Sequence, residues 1–582
     1  MSKLNIDQQT ILQLFGNDKT KFLIPDYQRP YAWGETECQT LWDDLFNFSF
    51  PENDCNRFNR TDEYFLGPIV MFKNEDGKLE IIDGQQRLTT LMLLLRAFYD
   101  GFGNVEDYES KTTRSNIEQC IWETDEFEKA DKTILKIDSE VANDNEKEEF
   151  LNILKTGVVS KNEKSSYAVN YRFFQKKISE FLIDYAPYFS FFPNRIMKNC
   201  ILLPIEAESR DTALRIFSTL NDRGKPLSDA DIFKAQFYKY YSDKGKKDEF
   251  NRRWKELAEL CEDIFPSNTG SSLDEIFTRY MYYIRAKKGI KKSTTEALRK
   301  FYEKDGYALL RNDETFGDLI DLAYFWDDVL KQNEDRFSNR VLKRLYVLKY
   351  APNGMWTYFV SVYYMANRDD DGLLDDEQFY QFLNKITAFI WTYAITTPGV
   401  SALRGPVYPE MINVVNGDPV TFKEDLFSIQ KLENILNSYE FTNQKPITRS
   451  MLTWWAFQNP EQELLPLETK MEIEHIYAKN RYEKELSLTN PNNIESLGNK
   501  SILEKKINIR ASDYRFSDKC EFYNGFPNNP NKKRDGTKIK ELRTIANTLD
   551  DFTESDIMQR ETKILFGFME FLDNNELIKK AN

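Results

Sequence analysis

Histidine is nearly missing from this chain: its 582 residues include one, His475. Metal sites built on several imidazoles are therefore excluded, and any chemistry that needs an imidazole must use this position. Cysteine is sparse and scattered. The six residues (Cys38, Cys55, Cys120, Cys200, Cys261 and Cys520) form no CxxC pair, which argues against a disulfide framework or a structural zinc site and fits a reduced, cytoplasmic setting. No stretch approaches the ~18 uninterrupted apolar residues of a membrane span, and the opening MSKLNIDQQTILQLFG lacks the apolar core of a secretory signal. A soluble internal protein without a membrane partner is expected. Cationic excess is missing too: Asp plus Glu outnumber Lys plus Arg by 94 to 79, a net charge of -15, so the surface as a whole repels phosphates. Contact with nucleic acid would have to come from a local basic patch.

What is present is a globular composition, 41% hydrophobic with 43 Phe, 31 Tyr and 9 Trp. At roughly 100–200 residues per domain, the length sets a prior of three to five domains, or fewer large ones. The fold class expected is multidomain α+β. Residues 1 to about 100 read as mixed α/β, with YFLGPIVMF (64–72) and KLEII (78–82) strand-like, and NCILLPIEA (199–207) is a further strand-like run. QRLTTLMLLLRAFYD is an apolar helix in which Leu88, Leu91, Met92, Leu95 and Phe98 recur at helical spacing. Between 101 and 166 the chain is acidic and polar, as solvated helices or an insertion would be. Ser228 with Asp231 three residues on predicts a helix starting at Asp229. Residues 241–440 carry helix-period patterns rich in aromatics, read as a helical linking domain with aromatic core stripes. The last region, 441–582, changes character: from 496 to 545 there are 12 Lys or Arg against 6 Asp or Glu, or +6 inside an acidic protein. That asymmetry is what a phosphate-facing surface needs.

Two constellations carry chemistry. In LEIIDGQQRLTTLMLLL, Asp83 and Gly84 end a strand and Gln85, Gln86 and Arg87 fall in the first turn of the next helix, where free N–H groups and the helix dipole favour a phosphate. Arg87 adds a fork for phosphate oxygens, and Asp83 suits a metal ion or a ribose hydroxyl. An Arg87–Asp83 surface pair is the plainer alternative. The second constellation surrounds His475. KMEIEHIY alternates as a short strand does, with Glu474 directly before the histidine, and Asn499 and Asn508 follow nine residues apart amid lysines. An H…N…N set suits phosphodiester hydrolysis in a ββα-metal finger, where neutral imidazole takes a proton from water and a divalent cation, Mg²⁺ or Mn²⁺, stabilises developing charge. A hydrogen-bonded structural histidine is the alternative.

Taken together, IPDYQRPYAW (24–33), YFLGPIVMF, IIDGQQRLTTL and FSTLNDRGKPLSDADIFKA (217–235) resemble, in order, the N-terminal domain of the GmrSD-type modification-dependent restriction enzymes and of SspE. IEHIYAKN, LGNKSILEKKIN, RFSDK and the tail FTESDIMQRETKILF are similar to the HNH-type nuclease domain fused C-terminally in that family. The resemblance implies a ParB/sulfiredoxin-like domain over 1–240 that binds and hydrolyses a nucleoside triphosphate, with GTP, ATP and CTP undistinguished. It places Asp83, Gly84, Gln85, Gln86 and Arg87 at the nucleotide, with Arg29 a further candidate, and assigns Asn221, Arg223 and Lys225 to a family motif that a simple turn would also explain. In an HNH-type domain over 441–582 it implies His475 as general base, Asn499 orienting the histidine loop, Glu474 and Asn508 at the metal, and Lys519 at a DNA phosphate. Two departures stand out: Ala478 where the family has Pro, and Lys500 where Leu is common. The expected function is a nucleotide-regulated, metal-dependent DNA endonuclease of antiphage restriction, acting on modified phage DNA. Alternatives are a non-cleaving nucleotide-dependent switch or one subunit of a larger restriction complex. Cutting both strands needs two active sites, hence a homo-oligomer or a partner protein.

Overall fold

The computed structural model describes residues 5–103, 105–141, 146–160, 162–210, 212–213, 216, 228–265, 271–292, 294–399, 401–511, 515–525 and 535–580. It divides into two compact units, Met1–Glu256 and Leu257–Asn582.

The first unit is built on a mixed sheet. Its strands are β1 (Asn5–Ile6), β2 (Gln9–Thr10), β3 (Phe22–Ile24), β4 (Tyr64–Lys73) and β5 (Leu79–Asp83), then, after a separate hairpin of β6 (Trp122–Thr124) and β7 (Ala130–Leu135), β8 (Ile137–Ser139) and β9 (Cys200–Ala207). The order is β1-β9-β4-β5-β3-β8, with β2 also on β9. β4 and β9 run parallel from Tyr64↔Cys200 to Phe72↔Ala207. As central strands covered on both faces, they read as nearly continuous apolar runs. β5 returns antiparallel to β4 and parallel to β3, so the ends of β3 and β5 lie side by side and deliver the Pro25–Trp33 loop next to the Asp83–Gly84 turn.

The helix Gln85–Phe102 fills one face of this sheet. Leu88, Leu91, Met92, Leu95 and Phe98 are fully buried, as the spacing predicts, but so are Leu93 and Leu94. Apolar side chains all round the helix mark one covered on every side: Ile69, Met71 and Ile81 of the sheet belong to its core, and the helix Ser166–Tyr185 packs against it. The predicted start at Asp229 is found, with the Ser228 hydroxyl accepting from the Asp231 amide and the Asp231 carboxylate accepting from the Ser228 amide, both at 3.2 Å. The acidic stretch 101–166 is more than a solvated border. It supplies the helix Tyr108–Ile121, the β6–β7 hairpin and the edge strand β8, which pairs in parallel with β3. Three residues are too few to show a strand period, so β8 carries no sequence signal of its own.

Among the described residues the second unit is helical apart from one antiparallel strand pair, β10 (Met471–His475) and β11 (Lys500–Glu504), in register from Met471↔Glu504 to His475↔Lys500. Stacked aromatics fill its core: Phe389 lies flat on Phe422 with ring centroids 3.6 Å apart, Tyr363 on Phe382 at 4.1 Å and Phe325 on Tyr364 at 4.2 Å. All six cysteines are free thiols, five of them buried. Among the described residues no helix is long and apolar enough to cross a membrane.

Candidate functional site

In the first unit the candidate site begins with two glycines. Gly84 has φ +92 and Gly67 has φ +114, conformations that side-chain-bearing residues rarely adopt. A Cβ on Gly84 would stand 3.0 Å from Ile69, and one on Gly67 would stand 2.9 Å from the Arg87 guanidinium. The two bare backbones let β4 and the turn close on each other, and Arg87 passes over Gly67 to donate to the Pro68 carbonyl at 3.1 Å. Gly84 caps the helix without any side-chain acceptor, so the leading N–H groups of the Gln85–Phe102 helix are uncapped at its positive end. Burial pushes the Asp83 carboxyl up from its ordinary value, opposed by the Gly84 amide, Arg87 and Arg29; burial likewise lowers Arg87, opposed by Asp83. Asp83, Arg87 and Arg29 thus face one another across a partly desolvated turn.

Gln85 and Gln86 sit differently from the expectation that they line a ligand pocket. Both are buried, and their amides hold the neighbouring loop: Gln85 donates to the Arg29 carbonyl at 3.2 Å, while Gln86 donates to the Pro30 carbonyl at 3.1 Å and accepts from the Ala32 amide at 2.7 Å. The loop is pinned elsewhere as well. Gln28 donates to the carbonyls of Ile81 and Ile82, Tyr27 donates to Glu80 at 2.6 Å, and Tyr238 donates to Asp26 at 3.0 Å. The groups left to meet a ligand are Asp83, the Gly84 turn, Arg87 and Arg29. Asn221, Arg223 and Lys225 lie outside the described residues.

In the second unit, the short helix Lys479–Glu485 and the segment after it separate β10 from β11, and β11 leads directly into the helix Lys505–Ala511, so the paired strands and the helix after them make a strand–strand–helix unit with His475 at the end of the first strand. Asn499 is wholly buried and clasps the segment after the histidine: its Oδ1 accepts from the Tyr477 amide at 2.7 Å, its Nδ2 donates to the Tyr477 carbonyl at 3.1 Å, and its own carbonyl accepts from the Ile476 amide at 2.8 Å. These three bonds fix the backbone just after His475. Ala478 has φ -68, the value a proline ring would impose, so the departure from Pro leaves the backbone path intact.

The histidine sits among residues that sequence reasoning did not select. Its Nε2 is buried without a hydrogen-bond partner, 3.7 Å from Glu495, whose carboxylate also takes the Lys500 ammonium at 2.6 Å and pairs with Lys479. Lys500 is fully buried and faces His475 across the strand pair; it also donates to the Phe441 carbonyl at 2.7 Å. Burial, with Lys500 and Lys479 against Glu495, lowers the imidazole pKa to about 4, and the lysines hold Glu495 down to about 2 against its own burial. The imidazole is therefore neutral at pH 7. The signal for this cluster was the strand register, which a long connection between β10 and β11 hides.

Among the described residues, none of Glu474, Asn508 and Lys519 bonds to the His475 imidazole. Glu474 is 4% exposed and its Oε1 accepts from Lys519 at 2.7 Å and from Tyr523 at 2.6 Å; Lys519, 1% exposed, also donates to the His475 carbonyl at 2.5 Å. An ammonium buried in this way does not present itself to a DNA phosphate. Asn508 donates to Glu472 at 3.0 Å. As a cradle for Mg²⁺ this donor set does not fit: one carboxylate oxygen already holds a cation and a hydroxyl, and among the described residues no three His, Cys, Asp or Glu are placed to share a metal ion. Of the basic residues in 496–545, Lys506, Arg510, Lys538 and Arg543 make no ion pair within 4 Å among the described residues, whereas Lys500 and Lys519 are spent internally.

The site is braced from behind by the helix Glu554–Asn574. Arg560 donates to the carbonyls of Leu497, Gly498 and Lys500 at 2.9, 3.0 and 2.6 Å and pairs with Glu541, fixing the turn that carries Asn499. No curated protein matches the chain. Residues 11–238, which contain the Gly84 turn and the loop pinned to it, match the family model described as the GmrSD restriction endonuclease, N-terminal domain.

Proposed function

We propose that this protein is a restriction-type DNA endonuclease whose second unit hydrolyses phosphodiesters at His475 and whose first unit holds a nucleoside triphosphate at the Asp83–Gly84 turn. The observation that carries the reading is the single histidine: it ends the first strand of a strand–strand–helix unit, neutral, with Nε2 unpartnered and the following loop clasped by Asn499. The N-terminal match to a restriction-enzyme domain supports the substrate class.

In this reading Nε2 takes a proton from the water that attacks phosphorus, and the leaving deoxyribose oxygen takes its proton from solvent, giving a phosphate end and a hydroxyl end. The Lys479–Glu495 pair covers Nε2 at rest. A scissile phosphate entering there replaces the Glu495 carboxylate on Lys479 and Lys500, so two cations already in place stabilise the added negative charge. Restraint and activation are then one exchange of anions. In the first unit the uncapped helix start and Arg87 bind triphosphate oxygens, with Arg29 alongside. No step is routed through a metal ion, because Glu474 is held by Lys519 and Tyr523. That same commitment favours a second reading, a nucleotide-dependent DNA-binding switch that does not cut.

The test is incubation of the full chain and a His475→Ala variant with supercoiled plasmid and with modified phage DNA, with and without Mg²⁺ and each triphosphate. Nicking by the native chain and none by the variant is expected. Triphosphate hydrolysis with no cleavage of any substrate would establish the switch instead.

A further inference from the structure

A cavity of about 830 Å³ in the second unit lies between the helices Asn339–Leu348, Asp376–Thr396 and Glu554–Asn574. Its size is in the range of ligand pockets. Arg344 on its wall is 7% exposed, and no carboxylate pairs with it among the described residues. Its Nε and Nη1 have no acceptor, the polar group facing it is the Tyr380 phenol, and its guanidinium lies 5.1 Å from the Phe571 ring centroid. A buried cation without a counter-charge is costly, and an anion brought from outside removes that cost. Two further groups on the same wall lack a firm partner. The Asn384 Oδ1 is a buried acceptor with no donor, and Lys385 reaches Glu576 only at 3.4 Å, a carboxylate 79% exposed that can yield the lysine to another anion.

We infer that this cavity binds a nucleotide. The occupant must bring negative charge for Arg344 and Lys385, an N–H donor for Asn384, and a flat apolar surface for Tyr380 and Phe571. A phosphate, an exocyclic amine or ring N–H, and a base supply these together, whereas an amino acid supplies the first two and leaves most of the volume empty. The amides of Asn384 and Gln458 on the wall are of the kind that read base edges. The nucleotide comes either as a free nucleoside phosphate or as a residue of a DNA single strand.

Calorimetric titration of the full chain with the four nucleoside monophosphates, their triphosphates and a ten-nucleotide single strand separates the two sources. Arg344→Met and Asn384→Leu are expected to weaken binding 10- to 100-fold, the loss of one buried hydrogen bond to an anionic ligand or its base. The titrations are repeated on an Arg87→Ala chain, in which triphosphate binding at the Gly84 turn is weakened, so that the heat remaining belongs to this cavity. Arg344→Met is also expected to melt no lower than the native chain without ligand, since it removes an uncompensated charge; should it fail to fold, Asn384→Leu decides. Absence of binding by every probe, or binding that neither Asn384→Leu nor Arg344→Met alters, overturns the assignment.

Discussion

Replacing Gly498 with alanine tests how the His475 loop is held. The backbone at Gly498 is not left-handed, so conformational strain is not at issue; the question is space. A Cβ there would stand 1.9 Å from the Ile557 carbonyl oxygen and 2.9 Å from the Glu561 nitrogen, both backbone atoms of the bracing helix. No side-chain rotation relieves either contact. Reaching an ordinary contact of 3.4 Å requires the turn to back away from the helix by 3.4 minus 1.9, or 1.5 Å. Adding that distance to the Arg560 hydrogen bonds with Leu497, Gly498 and Lys500, now 2.9, 3.0 and 2.6 Å, carries all three beyond bonding range. Breaking a buried charged network of this kind costs about 3–5 kcal/mol. Asn499 moves with the turn and loosens its hold on Tyr477, and a displacement of about 1 Å at a reacting group is worth roughly a hundredfold in rate. The assay is guanidinium unfolding of the full chain beside the plasmid-nicking rate. Gly317→Ala is the control: that glycine lies within the helix Asp313–Lys331 with nothing within 4 Å of an added Cβ, so the same substitution is expected to stabilise by about 1 kcal/mol. Gly498→Ala unfolding within about 0.5 kcal/mol of the native chain, the range of a neutral surface change, would refute the reasoning.

Lys519→Met strands Glu474 in the interior and is expected to cost about 3–5 kcal/mol at neutral pH, less when Glu474→Gln is added, while leaving the salt slope of DNA binding unchanged; Lys506→Ala should lower that slope by about 1. The imidazole pKa of about 4 lies below its unfolded value of 6.5, so the unfolded chain binds the extra proton between these values. Stability linked to His475 is complete above pH 6.5 and falls as pH drops towards 4, by about 2 kcal/mol at pH 5; unfolding midpoints of His475→Gln should lack this component. Gln86→Leu removes two hydrogen bonds that hold the Pro30–Ala32 segment, for a loss of about 2 kcal/mol and weaker triphosphate binding, measured by thermal melting and titration.

Much of the first unit was legible because its signals are local. A strand ending in Asp-Gly before an apolar helix, and a serine three residues ahead of Asp231, each specify backbone geometry within a few positions. β8 was not legible, since an edge strand of three residues draws its hydrogen bonds from β3 and shows no period of its own. The glutamines of DGQQR show a subtler limit. Their position at a helix start is plain in the sequence, but that their amides turn to the Arg29–Ala32 backbone depends on β3 and β5 ending together.

Around His475 the limit is register. The strand period places Glu474 and His475 on opposite faces, and that much could have been read from KMEIEHIY alone. It explains why the carboxylate is satisfied on one side by Lys519 and Tyr523 while the imidazole looks to Glu495 and Lys500 on the other. The two faces have different chemistry as a result. On the Glu474 side a buried ammonium neutralises a buried carboxylate, a contact that holds the helix Phe516–Asn524 to the strand. On the His475 side two lysines share one carboxylate that is 35% exposed, so the cluster holds more positive than negative charge and its anion is the one group able to leave for water. A phosphodiester that replaces Glu495 on Lys479 and Lys500 releases a carboxylate that water can solvate, whereas one that replaced Glu474 on Lys519 would strand a buried carboxylate. Under the proposed function the substrate face is therefore the one with the exchangeable anion, and it is the face on which the only histidine stands.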